Sequence, residues 1–120
     1  MAKIAIRPNG QHEAVDGEID PTTLLRYLGT NAQIATVIGE VEDAPFFYNG
    51  ERAIMIGSLP QAFGTSFGAD FNKEANQIKY DFSAQNPNAG EFGPIESMPK
   101  IYGTVVIVTE ADAENYKKMK

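Results

Sequence analysis

The chain has 120 residues, 42% of them hydrophobic and 10% aromatic, which is enough apolar surface for one core and too little length for two, so a single domain is expected. Sixteen acidic against ten basic residues give a formal charge of −6, which repels phosphate backbones and anionic membranes and argues against DNA or RNA as a partner. With no cysteine there is no disulfide, no thiolate metal site and no thiol nucleophile.

Met1 to Arg7 holds no apolar run of signal-peptide length, and nothing elsewhere approaches the roughly 18 apolar residues of a membrane span, so a cytoplasmic protein without membrane contact is expected. Lys3 to Arg7 alternates, and Pro8-Asn9-Gly10 then turns the chain towards His12 to Val15, which predicts an opening hairpin. Asp20-Pro21-Thr22-Thr23 is a helix start, Leu24, Leu25 and Leu28 form its apolar stripe, and Gly29 can close it in a left-handed conformation. Gln33 to Val41 is rich in β-branched residues and predicts a strand, followed by a loop over Glu42-Asp43-Ala44-Pro45. Phe46-Phe47-Tyr48 and Arg52 to Ile56 flank Asn49-Gly50, the strongest hairpin signal in the chain. Gln61 to Phe67 suits a short helix weakened by Gly64. Gln77 to Phe82 alternates like a strand, with Ile78, Tyr80 and Phe82 on one side.

Ser83 to Lys100 carries three Pro, two Gly and two Asn with little periodicity, so a long internal loop is expected at 83–100. Ile101 to Thr109 is the most apolar run and predicts a central strand covered on both faces. Thr109-Glu110-Ala111-Asp112 resembles a capping box for a terminal helix with Tyr116 and Met119 on one side. Together these elements predict an α+β fold: a mixed, mainly antiparallel sheet of about five to seven strands with two or three short helices on one face.

Several stretches together resemble the domain-of-unknown-function family DUF3846, small proteins of phages and mobile elements. They are Ile19-Asp20 with Leu24, Leu25 and Leu28-Gly29, then Ile34 and Val37, Tyr48-Asn49-Gly50-Glu51, Leu59-Pro60, and Ile101-Tyr102-Gly103-Thr104-Val105-Val106-Ile107. The resemblance implies a phage origin and an accessory role, and it brings no catalytic residues with it.

Chemistry-bearing motifs are sparse. His12 is the only histidine, has Glu13 beside it, and suits an exposed turn better than a catalytic base, because no nucleophile or orienting partner accompanies it. Asp16, Glu18 and Asp20 alternate like oxygen ligands but lack calcium-loop spacing, so no metal and no cofactor is expected. Gly64-Thr65-Ser66-Phe67-Gly68 offers backbone N–H groups that suit a turn or a weak anion cradle. What stands out is an aromatic and basic set: Phe46, Phe47, Tyr48 and Arg52 in one hairpin, and Lys100 with Tyr102 at the entry to the apolar strand. Rings can stack on a base while Arg forks a phosphate, so Phe47, Tyr48, Arg52, Lys100 and Tyr102 are the candidate residues for a small nucleotide-like ligand, with core or dimer packing as the competing account.

Joined to the resemblance, this set leads to the expectation of a phage-encoded, non-catalytic protein that sequesters a nucleotide signal of a host anti-phage defence. The competing expectation is a protein-interaction module that inhibits a host enzyme through an aromatic patch with an acidic rim. A homo-oligomer is expected in either case, because twelve aromatic residues on a small domain favour self-association.

Overall fold

The computed structural model describes residues 3–29, 32–39, 45–66, 68–85, 99–109 and 111–118. The opening hairpin forms as expected: β1 (Lys3–Ile6) turns into β2 (His12–Ala14), with Ile4 opposite Ala14 and Ile6 opposite His12. Helix α1 (Pro21–Leu28) begins at Asp20, whose carboxylate accepts the Thr23 backbone N–H at 2.7 Å; that bond holds the carboxyl below its usual range. Gly29 ends the helix at φ 114 with its N–H on the Leu25 carbonyl, but its ψ of 140 lies outside the left-handed helical region.

β3 (Gln33–Ile38) is shorter than expected, and residues 40–44 lie outside the described ones. β4 (Phe46–Tyr48) and β5 (Glu51–Leu59) meet at the predicted two-residue turn, with Asn49 at φ 51 and Gly50 at φ 83, the pair of positive values that a type I′ hairpin requires. Gly50→Val is therefore expected to destabilise the fold by about 1–3 kcal/mol, because a β-branched residue resists this conformation. The midpoint of urea denaturation measures it, and an unchanged midpoint would show that the turn tolerates the side chain.

Met55 and Ile56 pair with β3 on one side and with β6 (Val105–Thr109) on the other, and Ala53 pairs with both β4 and β6. β3 and β4 therefore take consecutive stretches of the same edge of β5. The sheet runs β2-β1-β6-β5-β3, with β4 continuing beside β3, and every pairing among the described residues is antiparallel. This is the expected α+β architecture: six strands and three helices.

The helices cover both faces of the sheet, where the sequence led to one. Ala5, Ile54, Ile56, Val106 and Val108 pack with Leu24 of α1 and with Tyr116 of the terminal helix α3 (Ala111–Lys118). Ile6, Ala53, Met55, Val105 and Ile107 pack with Ala75, Ile78 and Phe82 of α2 (Lys73–Gln85). The physical reason is β6, whose five residues are all buried and point alternately to the two faces, so both must be roofed.

Helix α2 replaces the strand expected at Gln77 to Phe82. Positions 78 and 82 fall on one face in either period, since they are both two strand repeats and one helical turn apart. Tyr80 decides between them: it is 48% exposed, while Ala75 and Lys79, at helical offsets, are buried. Residues 83–85 belong to α2, which shortens the loop expected at 83–100; residues 86–98 lie outside the described ones. The helix expected over Gln61 to Phe67 is a 3₁₀ turn at Gln61–Phe63, closed by left-handed Gly64, with Phe67 outside the described residues. Glu110 and Met119, which the terminal capping box and stripe invoke, lie outside them too. No helix among the described residues is long and apolar enough to cross a membrane.

Candidate functional site

The start of α2 is fixed by a buried asparagine. Asn72 caps the helix, its side-chain oxygen accepting the Ala75 N–H at 3.0 Å, while its amide nitrogen donates to the carbonyls of Ile6 at 3.0 Å and Gly103 at 2.8 Å. One turn on, the Asn76 side chain donates to the Ile101 carbonyl at 2.8 Å and accepts the Ile101 N–H at 2.9 Å. These bonds pin the helix to β1 and to the segment entering β6. They set its course across the sheet, so that its C-terminal half meets β4.

Between them, β4 and α2 form a groove of about 240 Å³, walled by Pro45 to Asn49 on the hairpin and by Ile78, Asp81, Phe82 and Gln85 on the helix. The rings of Phe46 and Phe82 meet edge to face, 5.9 Å apart at 84°. Tyr48, two residues along the strand from Phe46, faces α2 as well; burial pushes its phenol pKa up, and the negative charge of Glu74 adds to that, so it stays protonated. Asp81 is exposed at the rim, where its carboxylate accepts from Gln77 Nε2 at 3.0 Å.

The five candidate residues do not converge. Phe47 lies between Phe46 and Tyr48, so alternation turns it away from the ring corner; it is 57% exposed and borders the groove, with Arg52 as its partner across the hairpin. Tyr48 alone of the five faces α2 within the groove. Lys100 and Tyr102 sit at the other end of β6: Ala53, next to Arg52, pairs with Thr109, whereas Tyr102 precedes Val105, and the strand between spans about 13 Å. Tyr102 packs its ring on Phe71 at 6.0 Å, bridges it as a strand partner, and donates its backbone N–H to Gln61. Lys100 is exposed. Arg52 and Lys100 therefore adjoin opposite ends of β6.

The other motifs have partners within the fold. His12 lies on β2 and its Nε2 contacts the Glu74 carboxylate, while Glu13 pairs with Arg7 at 2.5 Å. Asp20 is the α1 cap, and the described residues contain no group of three His, Asp or Glu placed to hold a metal. In the glycine-rich turn, the Thr65 N–H goes to the Pro60 carbonyl and the Ser66 carbonyl accepts from Ala69.

Sequence reasoning missed Ile78, Asp81, Phe82 and Gln85 as a groove wall, because the first three lie in a segment that reads as a strand in period 2 and Gln85 in the stretch expected as a loop. The signal that finds them is Asn72 as a helix cap, followed by Ala75, Ile78, Lys79 and Phe82 at helical spacing.

Lys79, on the buried side of α2, is 4% exposed and places its ammonium 5.6 Å from the centre of the Phe63 ring. Burial lowers its pKa from 10.5. The unfolded chain thus holds this proton to higher pH than the folded one, and the Lys79 contribution to stability rises as pH climbs from the lowered value to 10.5. Tyr48 acts oppositely, since a raised phenol pKa makes stability fall above its ordinary value of 10.0. Lys79→Met leaves the Tyr48 contribution in place, so wild type is expected to gain stability relative to Lys79→Met as urea denaturation is moved from neutral to alkaline pH. A constant difference would show that the ammonium is not desolvated in the fold.

No protein-family model, no curated protein and no solved structure matches the chain.

Proposed function

We propose that this chain is a non-catalytic protein-interaction module that docks its partner at the groove between β4 and α2. The observation that carries this is the composition of the groove: Phe46, Tyr48 and Phe82 as walls, Asp81 at the rim, and the exposed Phe47 beside it. Large rings that bury area at low entropic cost, next to a polar rim, are what energetic centres of protein interfaces are made of. A nucleotide phosphate asks instead for a cation in the same groove, and Arg52 and Lys100 stand elsewhere. Within the phage setting that the DUF3846 resemblance implies, the partner is a host enzyme.

The test is site-specific photo-crosslinking from position 47 in host lysate, with Tyr80, exposed on α2 but not bordering the groove, as the control position. A discrete adduct from position 47 that is absent from position 80, and that is lost when Gln85→Trp fills the groove, is the expected result. Calorimetric binding of cyclic dinucleotides or cyclic ADP-ribose isomers, weakened by Arg52→Ala, would overturn the assignment in favour of nucleotide sequestration.

A further inference from the structure

We infer that the partner enters this groove with an arginine side chain, its guanidinium lying against Tyr48 and Phe82 and forking onto the Asp81 carboxylate. This deepens the interaction-module assignment and rests on it.

Size is the first argument. At about 240 Å³ the groove is smaller than the roughly 300–1,000 Å³ of pockets that enclose whole small ligands, and it suits one long side chain. Charge is the second. Asp81 is the one charged group among the described residues lining the groove, the chain carries a net −6, and both favour a cation. Chemistry is the third. Tyr48 on the hairpin and Phe82 on the helix are both half-buried and both border the groove, which sets ring surface beside Asp81 for a cation. The Gln77 amide holds the Asp81 carboxylate through one bond, and a carboxylate has acceptor capacity for a two-pronged donor besides. Arginine fits these features better than lysine because its guanidinium is planar, stacks on rings, forks onto carboxylates and is more weakly hydrated than an ammonium.

The experiment titrates the full-length protein with the peptide Gly-Gly-Arg-Gly-Gly and with analogues carrying citrulline or lysine at the centre, followed by NMR. Saturable shifts are expected at Tyr48, Phe82 and Gln85 with the arginine peptide. Citrulline keeps the shape and removes the charge, so it is expected to bind at least about tenfold more weakly, and Asp81→Asn is expected to lose a similar factor for the arginine peptide. Asp81 is on the surface, so amide spectra of that variant are expected to match wild type away from the rim. Equal binding of citrulline, equal binding of lysine, an unchanged affinity in Asp81→Asn, or no saturable shift in the groove would each overturn the arginine assignment. In any of those cases a groove-dependent crosslink from position 47 still reports docking, so loss of the anchor and loss of the interaction module are told apart.

Discussion

Asn72→Ala is expected to destabilise the protein by about 3–7 kcal/mol, a large part of the roughly 5–15 kcal/mol that holds a typical domain folded. The Asn72 side chain is fully buried and makes three bonds to backbone groups: the carbonyls of Ile6 and Gly103 and the N–H of Ala75. Its removal leaves two buried acceptors without their donor, each worth about 1–3 kcal/mol, and deletes a helix cap worth about 1 kcal/mol. Water cannot replace the amide without space being made for it in a packed interior. Asn72→Asp separates the two roles, because a carboxylate still caps Ala75 but cannot donate to the two carbonyls. Urea denaturation of both variants is the measurement: if aspartate restores most of the loss, the cap matters and the clamp does not. A loss below about 1 kcal/mol in Asn72→Ala would mean that the clamp is dispensable.

Gly39→Ala is the second large effect, expected at about 2–4 kcal/mol from strain and overpacking together. Gly39 follows β3 with φ 111, and a Cβ there would lie 2.8 Å from the Ala53 carbonyl oxygen, 2.8 Å from Ile54 Cγ2 and 3.1 Å from Ile54 Cα. Two of these three atoms are backbone of β5, so no rotamer change relieves the clash. Gly10→Ala is the control: φ is also positive, at 88, but no atom lies within 4 Å, and only the conformational cost of about 1 kcal/mol applies. Thermal unfolding of the two variants side by side should show a much larger fall for Gly39→Ala. Equal falls would mean that β5 moves aside to accept the methyl group.

How far the sequence could be read depended on whether the signal was local. Asn49-Gly50 and Asp20-Pro21 specify their turn and cap through their own backbone preferences, and both are where they were expected. The apolar run from Ile101 to Thr109 likewise foretold a strand roofed on both sides, but the strand forms only over Val105–Thr109, Tyr102 making an isolated bridge to Phe71, and the helices it calls for lie on both faces. The α2 segment failed because its pattern is ambiguous: Ile78 and Phe82 satisfy two periods, and Lys79, a charged residue that the fold buries, hides the helical stripe. The groove was half legible for the same reason. Its hairpin wall was visible as Phe46-Phe47-Tyr48, but Asp81 and Phe82 face it only once their segment is helical. The separation of Arg52 from Tyr102 was beyond sequence altogether, since it depends on which end of β6 each of them adjoins.

The position of β6 also bears on how the chain folds. Its neighbours are β1, about a hundred residues earlier in sequence, and β5, about fifty earlier. The β1–β2 hairpin and the β3–β4–β5 unit can each form from nearby residues, but they share no ladder until Val105 to Thr109 slots between them. During synthesis, both units must therefore wait with one strand edge open until residue 109 has left the ribosome, a span of seconds at about 5–20 residues per second. Closing so long a loop before its contacts form slows folding of this chain, and makes β1 and β5 the edges that a chaperone or a neighbouring nascent chain meets first.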